Sequence, residues 1–261
     1  MAFSYEFVMH ALLAMSALHL SFLRAPNKSY AVAATQHHLQ TLELLRVAPP
    51  ALNQQHADAF LSANMLMAIY VYACPLVVGN MLLKAPTWIP VFRDCVNITL
   101  GFWNWVRQGE LAPLFLRRKA DQSRYAGEIT EFPSLLFGLS QRGAPGELDP
   151  EELEDGHVLG IYRDATELLR ASWDQFWSFN PSRASAFKWP SHISDDFTRF
   201  IEEQRPRALV LLAHHCVMTE FLDDRFWWIK GRGVDEIRRI EAVLEEKWKR
   251  WLDWPKMRCK I

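Results

Sequence analysis

The feature that most constrains the fold of this chain is a series of long segments whose apolar residues have helical spacing. Short links that contain proline join these segments. Residues 4–23 are apolar almost all round, with Ser4 placed to cap a helix and Pro26 placed to stop it. A helix that is apolar on every side is expected at the centre of its domain. Residues 28–47 form a second, amphipathic segment, and a third helix is predicted to begin after Asn53. Short links between the three predict antiparallel neighbours in a bundle.

The rest of the chain continues the helical pattern. Further helices are predicted over residues 86–106, 151–179, 194–203, 205–222 and 234–251. No segment alternates apolar and polar residues strongly enough to predict a strand. Residues 138–156, rich in glycine, proline and acidic side chains, form the best candidate for a flexible, linker-like loop. The apolar faces on both sides of it have partners, so we predict an all-α fold, a single-domain helical bundle over residues 1–261.

The composition narrows the class of function. Half of the residues are hydrophobic, and 11 Trp and 16 Phe leave aromatic side chains for a pocket or an interface besides the core. The net charge of −1 gives no global attraction to a polyanion, whereas a nucleic-acid-binding domain normally shows a basic face and a raised pI. We therefore expect no direct contact with nucleic acid.

The cysteine spacing and the hydropathy pattern argue against further classes of protein. None of the four cysteines has CxxC spacing, and no histidine lies at zinc-finger distance from two of them, so no metal site and no cofactor are predicted. Unspaced cysteines without a signal peptide fit a reducing intracellular compartment. The nearest candidate for a membrane span, residues 60–78, contains Asn64 and breaks at Pro75, so no span is predicted.

Histidines and carboxylates supply the candidates for catalysis. The neighbours His214 and His215 point about 100° apart on a helix, which makes a shared metal ion awkward. The acidic pair at Asp223 is interpreted as pairing with an arginine or capping the turn that follows. If the chain is an enzyme, we predict that His10, His214 and Glu220 act as its acid–base catalysts.

A pocket for a hydrophobic ligand is the other candidate site. Methionine supplies flexible, polarisable side chains, and large aromatic rings supply apolar walls. The predicted ligand-binding residues are Met9, Met65, Met218, Phe221 and Trp227. The alternative for each of them is plain core packing.

Both ends of the chain resemble one family. Near the C-terminus, Arg205-Pro-Arg-Ala-Leu-Val-Leu-Leu-Ala-His-His precedes Leu222-Asp-Asp-Arg-Phe-Trp-Trp-Ile-Lys-Gly, and Trp251-Leu-Asp-Trp-Pro follows. Near the N-terminus, Phe7-Val-Met-His-Ala-Leu-Leu-Ala-Met-Ser-Ala-Leu-His-Leu precedes Tyr30 and a His-His pair. This order resembles the regulatory, ligand-binding domain of fungal zinc-cluster (Zn2Cys6) transcription factors, the sterol-uptake-control type in particular.

The resemblance implies a regulatory domain that senses a hydrophobic, sterol-like molecule and forms a homodimer or binds a co-regulator protein, in the nucleus or the cytoplasm. It also implies that the glycine turn from Gly231 to Gly233 moves when a ligand or partner binds. The zinc cluster of the family needs six cysteines in a short basic N-terminal segment, which this sequence does not contain. The alternative is an enzyme of fungal secondary metabolism, an isomerase or cyclase built on a repurposed regulatory fold.

Overall fold

The fold of the described residues is entirely helical. The computed structural model describes residues 2–24, 28–47, 53–74, 88–115, 131–179 and 183–261. Every regular element in these ranges is an α-helix or a 3-10 helix, and none of their residues lies in a strand. The all-α prediction is therefore confirmed. The described residues form two compact units, 2–115 and 131–261, and a single domain over 1–261 stays a prediction.

The first unit is built on three long helices. A 3-10 turn, Ala2–Ser4, precedes α1 (Glu6–Leu23), α2 (Lys28–Val47), α3 (Gln54–Ala73), α4 (Trp88–Gly101), α5 (Trp103–Val106) and α6 (Ala112–Phe115). The Arg24 guanidinium, just after α1, lies 3.4 Å from the Tyr30 hydroxyl near the start of α2. His10, early in α1, contacts His37 in the middle of α2. The first two helices are therefore antiparallel, as the short links predict.

The starts of the long helices test the capping predictions. α3 begins after Asn53 as predicted, and Asn53 caps it, because its side-chain oxygen accepts a hydrogen bond of 2.9 Å from the backbone N–H of His56. The prediction for Ser4 is wrong: it belongs to the preceding 3-10 turn, and Tyr5 occupies the N-cap without a side-chain hydrogen bond. The predicted stop at Pro26 lies outside the described residues.

The core of the first unit lies on one side of α1. Phe7, Val8 and Ala11 pack in one cluster with Ala59 and Ala63 of α3. The opposite side of α1 exposes apolar side chains, among them Leu12 at 41% and Leu13 at 40%. The prediction that α1 is a central helix is therefore wrong within the described residues. A helix with apolar residues on every side could be buried on any side, and its packing against other helices decides which side is buried.

By length and composition alone, α1 is also the one helix in the described ranges that could cross a membrane. Its 18 residues have a mean hydropathy of 1.5, and 33% of the helix is buried. Residues 60–78, the membrane-span candidate taken from the sequence, are therefore not the segment that comes closest to a membrane span. The signal in α1 is weak, because core helices of folded proteins and N-terminal signal sequences have the same properties.

The second unit surrounds one buried helix. Its α-helices are α7 (Gly156–Phe179), α8 (Arg183–Ala186), α9 (Lys188–His192), α10 (Asp195–Glu202), α11 (Pro206–Glu220), α12 (Arg232–Val243), α13 (Glu246–Lys249) and α14 (Asp253–Cys259). Pro206 occupies the first turn of α11, as predicted. Every residue from Arg207 to Thr219 is buried, and α7, α10, α12 and α14 pack around this helix. α11 is thus the central element of the second unit.

Two predicted helices of the second unit are interrupted in the structure. The predicted helix 151–179 begins as a 3-10 helix, Pro150–Leu153, and α7 starts only at Gly156. The predicted helix 234–251 is broken at Leu244, whose backbone is extended and whose side chain is buried. Burying Leu244 therefore outweighs the helical periodicity of that segment.

The acidic segment 138–156 is tied to the start of α11. The buried Arg207 guanidinium donates hydrogen bonds to the carbonyls of Leu148 and Asp149 and lies 3.1 Å from the Glu152 carboxylate. The indole N–H of Trp248 donates to the Asp149 carboxylate at 2.9 Å. The segment thus has fixed partners inside its own unit, and its predicted flexibility stays a prediction.

Candidate functional site

The two adjacent histidines of α11 contact different neighbours. The His214 ring stacks on Trp254 of α14, with centroids 5.5 Å apart and planes 8° apart. The His215 ring stacks on Trp189 at 5.1 Å, and its Nε2 bonds the carbonyl of Ala186 at 2.8 Å. Because the two rings lie on different sides of the helix, they do not converge on one ion.

Burial keeps both imidazoles neutral. Desolvation lowers the pKa of His214 and of His215 from 6.5 to about 4. The Nδ1 of His214 lies 2.8 Å from the Val210 carbonyl, which can only accept, so Nδ1 carries the proton. Its Nε2 is then an acceptor, and this buried atom has no hydrogen-bond partner.

An aromatic cluster adjoins His214. We define it as Trp173 and Trp177 of α7, Phe221 after α11, Trp254 of α14 and His214. Trp177 meets Phe221 edge-on at 4.5 Å, and Trp173 lies 5.8 Å from Trp177 and 5.6 Å from Trp254. The indole N–H of Trp177 is also buried without a hydrogen-bond partner. The aromatic cluster therefore holds one unpaired donor and one unpaired acceptor, a departure from the usual pairing of buried polar atoms.

The predicted ligand-binding residues fall in both units. Met218 is fully buried on α11, Phe221 belongs to the aromatic cluster, and Trp227 is half-buried in the turn that follows. Met9 and Met65 are half-buried on α1 and α3 of the first unit. A pocket lined by these five residues stays a prediction.

Sequence reasoning missed part of the aromatic cluster. It named Phe221 as a ligand-binding residue but not Trp173 or Trp177, which lie four residues apart on α7. Residues four apart share a helix face, and that spacing was the available signal. Trp254 could not be placed from spacing, since its contact with His214 joins segments 40 residues apart.

The acidic corner closes a glycine turn after α11. The Asp223 carboxylate accepts a hydrogen bond from the backbone N–H of Gly231, which confirms that it caps the turn. Gly231 adopts a left-handed backbone (φ 71°), for which glycine is best suited. Burial, and then the charge of Asp223, raises the pKa of Glu220 to about 7, and one of its oxygens is buried without a hydrogen-bond partner.

The predicted acid–base residues are not assembled into one site on α11. His214 and Glu220 are six residues apart, which separates them by about 120° and about 9 Å along the helix axis. His10 belongs to the first unit, where its neighbour is His37. Among the described residues, no group of three His, Cys, Asp or Glu side chains is placed to hold a metal ion. The enzymatic alternative stays a prediction.

The described residues thus form an all-α protein whose second unit is built around one buried helix. Residues 1–99 match the sequence model of the fungal specific transcription factor domain. This match, with the relatives below, confirms the resemblance: the chain is related to fungal zinc-cluster transcription factors.

Three relatives extend this result. A Zn(2)-C6 fungal-type transcription factor of Gibberella zeae is 22% identical over 261 aligned residues, covering 94% of this chain and 51% of that protein. The Zn(2)-C6 fungal-type transcription factor afumD of Aspergillus fumigatus is 26% identical over 83% of this chain and 57% of its own length. Sterol uptake control protein 2 of Saccharomyces cerevisiae is 31% identical over 109 residues, which are 40% of this chain and 12% of that protein. The chain thus spans about half the length of the first two relatives, and no solved structure matches it.

Proposed function

We propose that this chain is the regulatory part of a fungal transcription regulator and acts in the nucleus. The observation that carries the proposal is the alignment of 94% of the chain with a protein named as a zinc-cluster transcription factor. The net charge of −1 supports a role without direct DNA contact by this chain. Its part in the regulator is to receive a signal and pass it to other protein surfaces.

The proposed signal is a hydrophobic small molecule that carries at least one hydroxyl group. Large aromatic rings suit an apolar ligand, and the unpaired Trp177 donor and His214 acceptor suit a group that can both accept and donate. A hydroxyl does both. The name of the Saccharomyces relative supports a sterol as the ligand to test first.

The proposed output is a contact with a second copy of the chain or with a co-regulator protein. In the first unit, α2 exposes apolar side chains at Val32 (55%), Leu39 (58%) and Leu42 (45%). Exposed apolar side chains that share a helix face are typical of surfaces that bind another protein.

Binding of a 3β-hydroxysterol tests the ligand site directly. We expect native mass spectrometry to show one sterol per wild-type chain and about tenfold weaker retention by Trp177→Phe, because a smaller aromatic ring remains and the indole hydrogen-bond donor is lost. Val243→Ala, at an exposed apolar residue of α12, is the matched control and should bind like the wild type.

The same variants test the regulatory role. The chain is fused to a heterologous DNA-binding module, and reporter transcription is measured with and without added sterol. A response in the wild type and in Val243→Ala, reduced in Trp177→Phe, supports sensing by the aromatic cluster. A sterol bound equally by the wild type and both variants would contradict the site, and a fusion that leaves the reporter unchanged would contradict the regulatory role.

A further inference from the structure

A loop of the second unit is joined at its base and lies against the ends of two helices. We call residues 142–154 the acidic loop, because five of its last eight residues are acidic. The Arg142 guanidinium donates hydrogen bonds of 2.6 and 2.5 Å to the carbonyls of Leu153 and Glu154, which brings the two ends of the loop together. Compact surface loops with joined ends are frequently functional.

Two arginines bind the backbone of the acidic loop near its tip. Arg207, at the start of α11, donates hydrogen bonds from Nη2 to the carbonyls of Leu148 and Asp149. Arg250, which follows α13, donates a hydrogen bond of 2.8 Å from Nη2 to the carbonyl of Gly146. Three of the recognised acceptors are therefore backbone carbonyls, which any peptide can offer.

A carboxylate of the acidic loop supplies the other contacts. Asp149 accepts hydrogen bonds from the Lys247 ammonium and, at 2.9 Å, from the indole N–H of Trp248. The bond from Lys247 lowers the pKa of Asp149 below its usual range, so the carboxylate is charged at neutral pH. We define the donor face as Arg207, Lys247, Trp248 and Arg250. These four side chains carry donors and no acceptor, so the complement of the donor face is an acidic peptide.

The residue at the centre of these contacts has a strained backbone. Asp149 adopts the left-handed conformation, with φ 48° and ψ 59°. It also precedes Pro150, and the residue before a proline favours extended conformations. A conformation of this kind persists only while its surroundings enforce it. When the tip of the loop opens, the strain is relieved, and this relief offsets part of the contacts that are lost.

The contacts at the tip are also open to competition. The side chains of Lys247 and Asp149 are 43% and 29% exposed, so a carboxylate of another molecule can reach the ammonium. Exposed ion pairs contribute little to stability. The buried Arg207 keeps its pair with Glu152, at 3.1 Å, when only the tip opens. The tip can therefore be displaced without leaving a buried charge unpaired.

We propose that the acidic loop is an autoinhibitory segment, whose tip (residues 143–150) occupies a binding face for an acidic peptide of a partner protein. The partner's peptide displaces the tip and places its own carbonyls and a carboxylate on the donor face. This contact goes beyond the proposed function, because the donor face lies in the second unit and the exposed apolar face of α2 lies in the first.

A peptide with the sequence of residues 143–154, labelled with a fluorophore, is the probe, and fluorescence anisotropy measures its binding to the whole chain. In the wild type, the attached loop competes at a high effective concentration, so the free peptide should bind weakly. Asp149→Ala in the chain removes the carboxylate of the attached loop but leaves the donor face intact. This variant should bind the unchanged peptide at least about tenfold more tightly than the wild type.

Two lysines of α13 separate the donor face from general attraction between charges. Lys247→Gln, added to Asp149→Ala, should lose the gain in peptide binding. Lys249→Gln in the same background is the matched control, because Lys249 pairs with Glu246 at 2.8 Å, and it should keep the gain. A chain with Asp149→Ala that binds the peptide no better than the wild type would overturn the proposal, and so would equal affinities of the two double variants.

Amide hydrogen exchange of the wild type covers the case in which a variant fails to fold. The amide of Gly143 donates to the Glu147 carboxylate at 2.7 Å, and the amide of Glu147 donates to the Ala144 carbonyl at 3.0 Å. If the tip opens by itself, both amides should exchange at least about a hundredfold faster than the buried amides of α11. Exchange at the same rate as α11 would mean that the tip opens only with the whole unit and would overturn the proposal.

Discussion

At the scale of single residues, Gly233 allows a close approach of α12 to α11. A Cβ atom placed on it would lie 2.7 Å from the backbone carbonyl oxygen of Cys216 and 3.1 Å from the Thr219 hydroxyl. A backbone carbonyl in a helix cannot move aside cheaply. The glycine is therefore required by the packing of α12 on α11. Gly160, inside α7, has no atom within 4 Å of such a Cβ.

Alanine substitutions at these two glycines should have opposite effects on stability. Gly233→Ala is expected to lower the free energy of unfolding by about 1–3 kcal/mol through overpacking. Gly160→Ala is expected to raise it by about 0.5–1 kcal/mol, because alanine favours the helix interior and meets open space. Urea unfolding followed by circular dichroism measures both. A neutral Gly233→Ala would show that α12 can move away from α11 at no cost.

At the scale of elements, α2 has one face packed in the first unit and another that exposes apolar side chains. Val32 and Leu39 are seven residues apart and share a helix face, and Leu42 lies one turn further along. Leu39 is the most exposed of the three, at 58%. A charge at this position meets water in a free chain but is desolvated if a second copy covers the face.

Leu39→Asp should therefore weaken a homodimer at least about tenfold and leave the helix content unchanged. Sedimentation equilibrium over a range of protein concentrations measures the dissociation constant. Val243→Asp, at another exposed apolar position (44%) on α12, is the control and should dimerise like the wild type. A wild-type chain that stays monomeric would contradict the homodimer, and the co-regulator would remain as the partner of this face.

At the scale of the whole molecule, buried neutral histidines set the response to acid. Burial lowers the pKa of His38, His214 and His215 to about 4 each. Between pH 6.5 and pH 4, these three imidazoles therefore bind protons in the unfolded chain but not in the folded chain. Glu220, whose pKa is raised to about 7, binds a proton in the folded chain over much of this range and offsets about one of the three. Stability contributed by these groups is fully present above pH 6.5 and is lost as the pH falls toward 4.

The free energy of unfolding should fall on acidification by up to about 1.4 kcal/mol per pH unit for each of these imidazoles. Urea titrations at pH 7, 6 and 5 measure this slope. His214→Phe keeps an aromatic ring against Trp254 without a titrating group. The change of its unfolding free energy with pH should therefore lack the contribution of one proton. His157→Asn, at an exposed histidine, should leave the slope unchanged. A wild-type stability that does not change between pH 7 and 5 would contradict the buried neutral state.

Most of the secondary structure could be predicted because its causes are local. The predicted segment 28–47 is the observed extent of α2, Asn53 caps α3, and Pro206 starts α11. These features depend on hydrogen bonds and contacts between residues three or four apart. The break at Leu244 could not be predicted, because a buried position in the tertiary structure overrides the helical pattern there.

The sequence by itself therefore determined the all-α fold class, the main helices and the family relationship. Only the tertiary structure decided which side of α1 is buried and which polar atoms meet. His10 and His37 are 27 residues apart, and Trp177 and Phe221 are 44 residues apart, yet each pair is in contact. Helical periodicity fixes the direction of a side chain on its own helix, but the neighbour that the side chain meets depends on how the helices pack.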